Sequence, residues 1–281
     1  MIQAGLEHPA LGWIPRREDL GVKSRHLGLF MAHETESLAP AGTVIEENTD
    51  LNGIIAAAQS APHIQPGPAP EEKIPERVRI GIACDNAFCF YYQDNLDRLR
   101  EAGARLEFFS PLGSGLPEVD AVYLGGGYPE LYLSALESSP CTNDLKRAAE
   151  KGMPIYAECG GLMYLTREVA ADRSYFMTGI LPADTEMTKK IQALGYVKGM
   201  VCSAGSILSL DRAIAGHEFH YSRLLPDPDA RYAIRLNRGK GIDSGQDGLT
   251  SGSALGSYTH AYFSRETAAD ITGSALRFSR C

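Results

Sequence analysis

The 281-residue sequence predicts an α/β fold with a mixed, mainly parallel sheet. Three observations carry that expectation. Between residues 77 and 165, short apolar runs of strand length alternate with longer stretches of helical periodicity. Several of the apolar runs end in glycine turns, as where VYL meets GGG and where PIYAEC meets GG. Before them, PHIQPGPAPEEKIPE over residues 62–76 concentrates proline and charge, which can continue neither a helix nor a central strand and so marks a boundary.

Each element follows in order. Residues 1–61 hold a short apolar piece, PALGWIP, a basic polar stretch, REDLGVKSRHLGL, and a helix-like run, TDLNGIIAAAQSA, for which Thr49 or Asp50 is a fitting N-cap. That is too little for an independent core, so the segment reads as the tail of something larger. Residues 62–76 are the linker and 77–281 the main domain. There RVRIGIAC reads as a buried strand and NAFCFYYQDNLDRLREAG as a helix closed by Gly103. ARLEFFSPL, VDAVYLGGG and MPIYAEC supply three further strands, with a helical LYLSALESSPCTNDLKRAAEKG between the last two and a helical GLMYLTREVA after them. Strand alternating with helix implies right-handed crossovers and a parallel sheet covered on both faces. FMTGILPADTEM, ALGYVKGMV, AIAGHEFHYSRL and YAIRLNRG are richer in strand and read as a sheet extension plus an antiparallel flap.

Composition narrows the function. A formal net charge of −8, with no dense run of lysine and arginine, argues against nucleic acid as a partner. No segment approaches the roughly 20 apolar residues that a bilayer demands, and the N-terminus lacks the pattern of a secretory signal, so a cytoplasmic protein without a membrane partner is expected. The six cysteines, at 84, 89, 141, 159, 202 and 281, form neither a CxxC pair nor a zinc-spaced cluster with histidine. Cys84, Cys89, Cys141 and Cys202 read as small core or loop residues.

Cys159 differs from them. If MPIYAE is a strand and GLMYLTREVA a helix, it stands on a strand-to-helix turn, the nucleophile elbow, where glycines leave room for close approach. Such a turn is expected to expose the sulfur, and the helix N-terminus behind it to favour thiolate. Backbone N–H groups of Gly126 and Gly127 in LGGGYPELY, with that of Gly160, could form an oxyanion hole, although the same letters suit an ordinary glycine turn. A cysteine nucleophile needs a base that is distant in sequence, and His260 in GSYTHAYF follows a short apolar strand near the end of the chain. His217 and His220 in GHEFHYS lie on a predicted strand, where their spacing turns them to opposite faces and speaks against a metal site; a supporting role, in orienting substrate or at the domain interface, and plain structural hydrogen bonding both stay open.

YLGGGYPELY, PIYAECGGLMYL, GHEFHYS and GSYTHAYF, in this order, resemble the glutamine amidotransferase domain of the cobyrinate a,c-diamide synthase family, within the class I amidotransferases. RHLGL before the linker resembles the end of that family's ATP-dependent synthetase domain. The resemblance implies a flavodoxin-like class I amidotransferase fold preceded by a synthetase remnant. It also implies that Cys159 attacks the side-chain amide of glutamine, that His260 handles the proton, and that a glutamyl thioester forms and is hydrolysed. In the full family enzyme the ammonia amidates the a and c acetate side chains of a tetrapyrrole, cobyrinate or nickel-sirohydrochlorin.

Two departures qualify it. Tyr262 stands two residues after His260, where the common class I pattern has glutamate, which leaves the third triad member open between Glu158, Glu218 and neither. No GxxxxGK[ST] phosphate loop occurs in the 281 residues, so no cofactor is expected on this domain. ATP and magnesium are expected only on a synthetase half, supplied by a longer protein or by a separate chain in trans. The rival readings are another cysteine hydrolase on the same fold and a catalytically silent partner module.

Overall fold

The computed structural model describes residues 9–20, 24–25, 28–29, 39–65, 74–203 and 207–280. The chain divides into two compact units, Met1–Pro70 and Glu71–Cys281.

The first unit contains a 3-10 turn at Glu18–Leu20, an antiparallel pair of short strands, β1 (Ser24–Arg25) and β2 (Gly28–Leu29), and the helices α1 (Ala39–Asn48) and α2 (Leu51–Ser60). Asp50 caps α2 by accepting from the Gly53 amide at 2.9 Å, the role its position predicts. Among the described residues of this unit, Val44 is the one buried apolar side chain, and α2 leaves Leu51, Ile54 and Ile55 exposed. Trp13 and Ile14 are exposed as well.

The second unit opens with β3 (Val78–Ala83), a short β4 (Phe88–Phe90) and α3 (Gln93–Glu101). Here the structure corrects the sequence reading: the predicted helix from residue 86 begins only at Gln93. Its aromatic start, FCF, is instead a strand that pairs with β7 (Gly126–Gly127), held by Asp85, which accepts from the amides of Ala87 and Phe88. Next come β5 (Ala104–Phe109), β6 (Ala121–Leu124) and the helices α4 (Leu133–Ser138) and α5 (Pro140–Glu150). The single predicted helix breaks at Ser139, whose hydroxyl caps Cys141, and Pro140 takes the first helical position. β8 (Ile155–Glu158) leads into α6 (Gly160–Leu165). This helix is shorter than predicted, because extended Thr166 ends it and bonds back to the Met163 carbonyl at 2.7 Å.

The strand-rich half comprises β9 (Glu168–Ala170), β10 (Ser174–Phe176), β11 (Ala183–Met187), β12 (Ala193–Val201), β13 (Ala213–His220), β14 (Ser222–Pro226), β15 (Arg231–Arg238), β16 (Gln246–Ser251), β17 (Ala254–Ser257) and β18 (His260–Ala261), before the closing helix α7 (Arg265–Phe278). β9, β10, β11 and β14 form a small sheet of their own.

The main sheet has ten strands in the order β18-β13-β12-β15-β16-β17-β8-β6-β3-β5. From β17 to β5 the neighbours are parallel, and every residue of β6, β8 and β17 is buried, as expected of central strands with helices on both faces. Ile80, Ile82, Tyr123, Tyr156 and Leu255 pack on one face with Leu99 of α3 and Ile271 of α7; Val122, Leu124, Ile155 and Ala157 pack on the other with Leu145 of α5 and Leu162 of α6. The remaining neighbours are antiparallel. β17 and β18 are consecutive in the chain yet stand far apart in the strand order, so the antiparallel half curls until β18 meets β13. Asp247 of β16 fastens the crossover: it accepts from the Tyr258 amide at 3.0 Å, the Thr259 amide at 3.1 Å and the Thr259 hydroxyl at 2.6 Å. That curl carries His260 to the carboxyl end of the parallel strands, where sites of such sheets lie. Among the described residues, no helix is long and apolar enough to cross a membrane.

Candidate active site

Cys159 joins β8 to α6 with φ 46° and ψ −98°, a backbone state that L residues avoid and that costs on the order of 1–3 kcal/mol. Its surroundings impose that state. The Cys159 amide donates to the Ser257 carbonyl at 2.7 Å, and its carbonyl accepts the first helical bond, from Met163 at 3.0 Å. Gly160 turns toward the glycine turn so closely that a Cβ there would stand 3.1 Å from the Gly127 nitrogen. Gly160 and the Gly127 amide, two of the three groups read from the sequence as an oxyanion hole, thus lie close together.

The elbow corrects one expectation. Cys159 is 8% exposed rather than open, and burial pushes its thiol up to about 12 instead of toward thiolate. The carboxylates of Glu130, Glu158 and Asp247 add to the rise, and a hydrogen bond from the Gly160 amide is the opposing influence. The Phe219 carbonyl lies 3.8 Å from the sulfur and accepts from the thiol.

His260 is 6% exposed and stands against Gly126, where a Cβ would fall 2.3 Å from its Cε1. Gly126 therefore makes room for the imidazole, a role distinct from the one its sequence context suggested. Burial, with the nearby imidazoles of His217 and His220, lowers His260 to about 3, so the ring is neutral at physiological pH. At rest Cys159 is a thiol and His260 a neutral imidazole.

Glu158 and Glu218 act away from that ring. Glu158 is fully buried and accepts from Tyr123 at 2.9 Å, Tyr156 at 3.1 Å and the amide of Ala261 at 3.0 Å. Burial raises it to about 8 while these three donors pull the other way. It ties the residue before Cys159 to the residue after His260. Glu218 accepts from the amides of Lys240 at 2.6 Å and Gly241 at 2.9 Å and so pins the loop between β15 and β16. His217 stacks on His260 with ring centroids 4.7 Å apart and planes 8° from parallel. His220 points to the other face, as the strand reading requires: it stacks on Tyr258 and its Nδ1 donates to the Ser222 carbonyl at 2.8 Å, which leaves Nε2 a buried acceptor without a partner. A groove of about 740 Å³ opens beside His220 and Tyr258, with Gln192, Lys240 and Gln246 in its wall.

The sequence reading missed three groups. Asn95 donates to the Ala261 carbonyl at 2.7 Å and accepts from the Phe263 amide at 2.8 Å, and so stands in for a neighbouring strand along β18. Its clue was a polar residue beside Leu96 on the apolar face of α3, where it is wholly buried. Asp247 and Tyr92 carried no local signal. Among the described residues, no cluster of three His, Cys, Asp or Glu side chains is placed to hold a metal ion.

Comparison with known proteins agrees with this architecture. A cobyrinate a,c-diamide synthase of Methanothermobacter thermautotrophicus is 40% identical over 278 residues, which is 95% of this chain and 62% of that protein. One from Archaeoglobus fulgidus is 38% identical over 262 residues, covering 90% of this chain and 57% of that protein. The chain thus spans about 60% of the length of these curated relatives. Among solved structures, PurLQS from Thermotoga maritima superposes with a TM-score of 0.54 at 14% identity, covering 72% of this chain and 99% of the matched chain. A Thermoplasma acidophilum protein described as a GMP synthase subunit gives 0.51 at 16% identity, covering 73% of this chain and 97% of its own. These two show the fold alone. Residues 79–268 match the model of the CobB/CobQ-like glutamine amidotransferase domain, and the chain belongs to that family.

Proposed function

We propose that this chain is the glutaminase part of an ATP-dependent tetrapyrrole a,c-diamide synthase. The observation that carries the reading is the convergence on one glycine turn: the Cys159 elbow lies against Gly127, and the buried neutral His260 against Gly126. In this reading the Cys159 sulfur adds to the side-chain carbon of glutamine as His260 takes the thiol proton. The developing oxyanion is met by the amides of Gly127 and Gly160. His260 returns the proton to the leaving nitrogen, ammonia departs, and a γ-glutamyl thioester remains. Water then adds with His260 as base, giving glutamate and the free thiol. The neutral imidazole has a lone pair free to accept the thiol proton, while burial raises the thiol and lowers the imidazole and so opposes the ion pair in the substrate-free site.

The ammonia would amidate the a and c acetate groups of a tetrapyrrole on a synthetase half, joined to or separate from this chain. ATP and magnesium belong to that half in this reading, since the 281 residues contain no phosphate loop to hold them. By the same reading residues 1–61 are a synthetase remnant and 62–76 a linker. In this reading Trp13, Ile14 and residues 27–30 would be docking contacts to the synthetase half; of these, Leu27 and Phe30 lie outside the described residues.

The test is glutamate release from glutamine by the full chain and by Cys159→Ala. The expected result is turnover by the wild type and a loss of about 10⁴-fold or more in the variant. Equal rates in both would overturn the assignment, and no turnover by either, with or without a family synthetase, would favour a silent partner module.

A further inference from the structure

The His260 ring is oriented by something other than a carboxylate. The oxygens of Glu158 are taken by Tyr123, Tyr156 and the Ala261 amide, and those of Glu218 by the Lys240 and Gly241 amides. Asn95 and Glu158 fix the backbone on either side of Ala261, which leaves rotation of the His260 side chain to be restrained by its ring contacts.

Those contacts are specific. His217 and His260 are directly opposed on the antiparallel strands β13 and β18, and their rings lie almost flat on one another. Phe90 meets the His260 ring edge-on at 6.4 Å, and Gly126 closes on its Cε1. His217 is itself locked: its Nδ1 shares a 2.7 Å hydrogen bond with the hydroxyl of Tyr92. The Tyr92 ring meets Tyr262 edge-on at 5.7 Å, and the Tyr262 hydroxyl donates to Asp94. A chain of contacts therefore runs from the start of α3 through Tyr92 and His217 to His260.

We propose that His217, held by Tyr92, is the positioning residue for His260: its stacked ring fixes the plane of the base, the task a hydrogen-bonded carboxylate performs elsewhere. This rests on the glutaminase reading above. A stacked neutral ring holds the orientation without placing a formal charge beside a buried imidazole. It also explains why this site works with tyrosine at 262, whose hydroxyl belongs to the same support. His217 acts through His260 and has no contact with the reacting atoms in this scheme.

The experiment compares steady-state glutamine hydrolysis by wild type, His217→Ala, His217→Phe and Tyr92→Phe, with thermal melting of each. His217→Ala is expected to lower kcat by about 10- to 100-fold, the scale of a misdirected catalytic group, with KM little changed. His217→Phe keeps a flat ring and should recover most of that loss; Tyr92→Phe should show a smaller loss in the same direction while melting near wild type. The proposal fails if His217→Ala keeps wild-type kcat, if His217→Phe is no better than His217→Ala, or if the loss falls wholly in KM. If His217→Ala does not fold, Tyr92→Phe decides: unchanged kcat would overturn the proposal. The reading beneath it is separable, because Cys159→Ala abolishes turnover whether or not His217 matters.

Discussion

The elbow and the histidine edge meet at one glycine turn but are held there in different ways. Cys159 is shaped by its immediate sequence: β8 ends, α6 begins, and two glycines follow the cysteine. His260 is assembled from afar. The Ala261 amide bonds Glu158 across 103 residues, the Ala261 carbonyl bonds Asn95 across 166, and His217 arrives on another strand. The turn at Cys159 is thus legible locally, although its amide also bonds the Ser257 carbonyl, whereas His260 rests on tertiary partners throughout, so damage to distant residues should reach His260 first.

The strongest way to test that contrast is His260→Ala, which should lower glutamate release by about 10²–10⁴-fold. Alkylation of Cys159 by a glutamine-directed electrophile should be weakened but still directed to the same sulfur. Gly126→Ala comes next, since its Cβ would meet Cε1 of His260 at 2.3 Å. Overpacking of this kind costs about 1–3 kcal/mol, and displacement of the ring should lower kcat by at least about 10-fold. Melting curves alongside rates check both numbers. Asn95→Ala is milder: it strands the buried Ala261 carbonyl on β18 and the buried Phe263 amide just after it, and should cost about 1–3 kcal/mol in denaturant unfolding.

The smallest expected effect concerns pH. Burial holds His260 down to about 3, so its basic form persists well below the ordinary histidine range and is lost only as pH falls toward that value. From pH 7 to 5.5, kcat/KM should therefore change by less than about twofold through this group. A limb centred near 6.5 would show a solvated His260 and remove the contrast between the two regions.

The same contrast explains what the sequence made legible. Strand–helix alternation, the glycine turns and the elbow are short-range patterns, and the α/β fold, β3, β5, β6, β8 and the position of Cys159 could all be read from them. FCF was read as helix because its partner, Gly126–Gly127, lies across the fold, and only that pairing makes it a strand. The raised state of the thiol was equally hidden, since Glu130 and Asp247, whose carboxylates add to the rise, are not neighbours of Cys159 in sequence. His217 and His220 were correctly turned to opposite faces by strand alternation, yet nothing in GHEFHYS announces a stacking partner at 260. Asp247 and Asn95 matter because they substitute for backbone partners, and such a role leaves no motif.

The central claim is that a buried thiol on a strained elbow is the group that meets glutamine. Its most direct test is to treat the full chain with a diazo-ketone glutamine analogue, with and without excess glutamine, and map the adduct by mass spectrometry. Cys84 and Cys202 are exposed and would react first if accessibility alone decided. The account predicts a single glutamine-protectable adduct on Cys159. An adduct on Cys84 or Cys202 that glutamine does not suppress, with Cys159 unmodified, would contradict it.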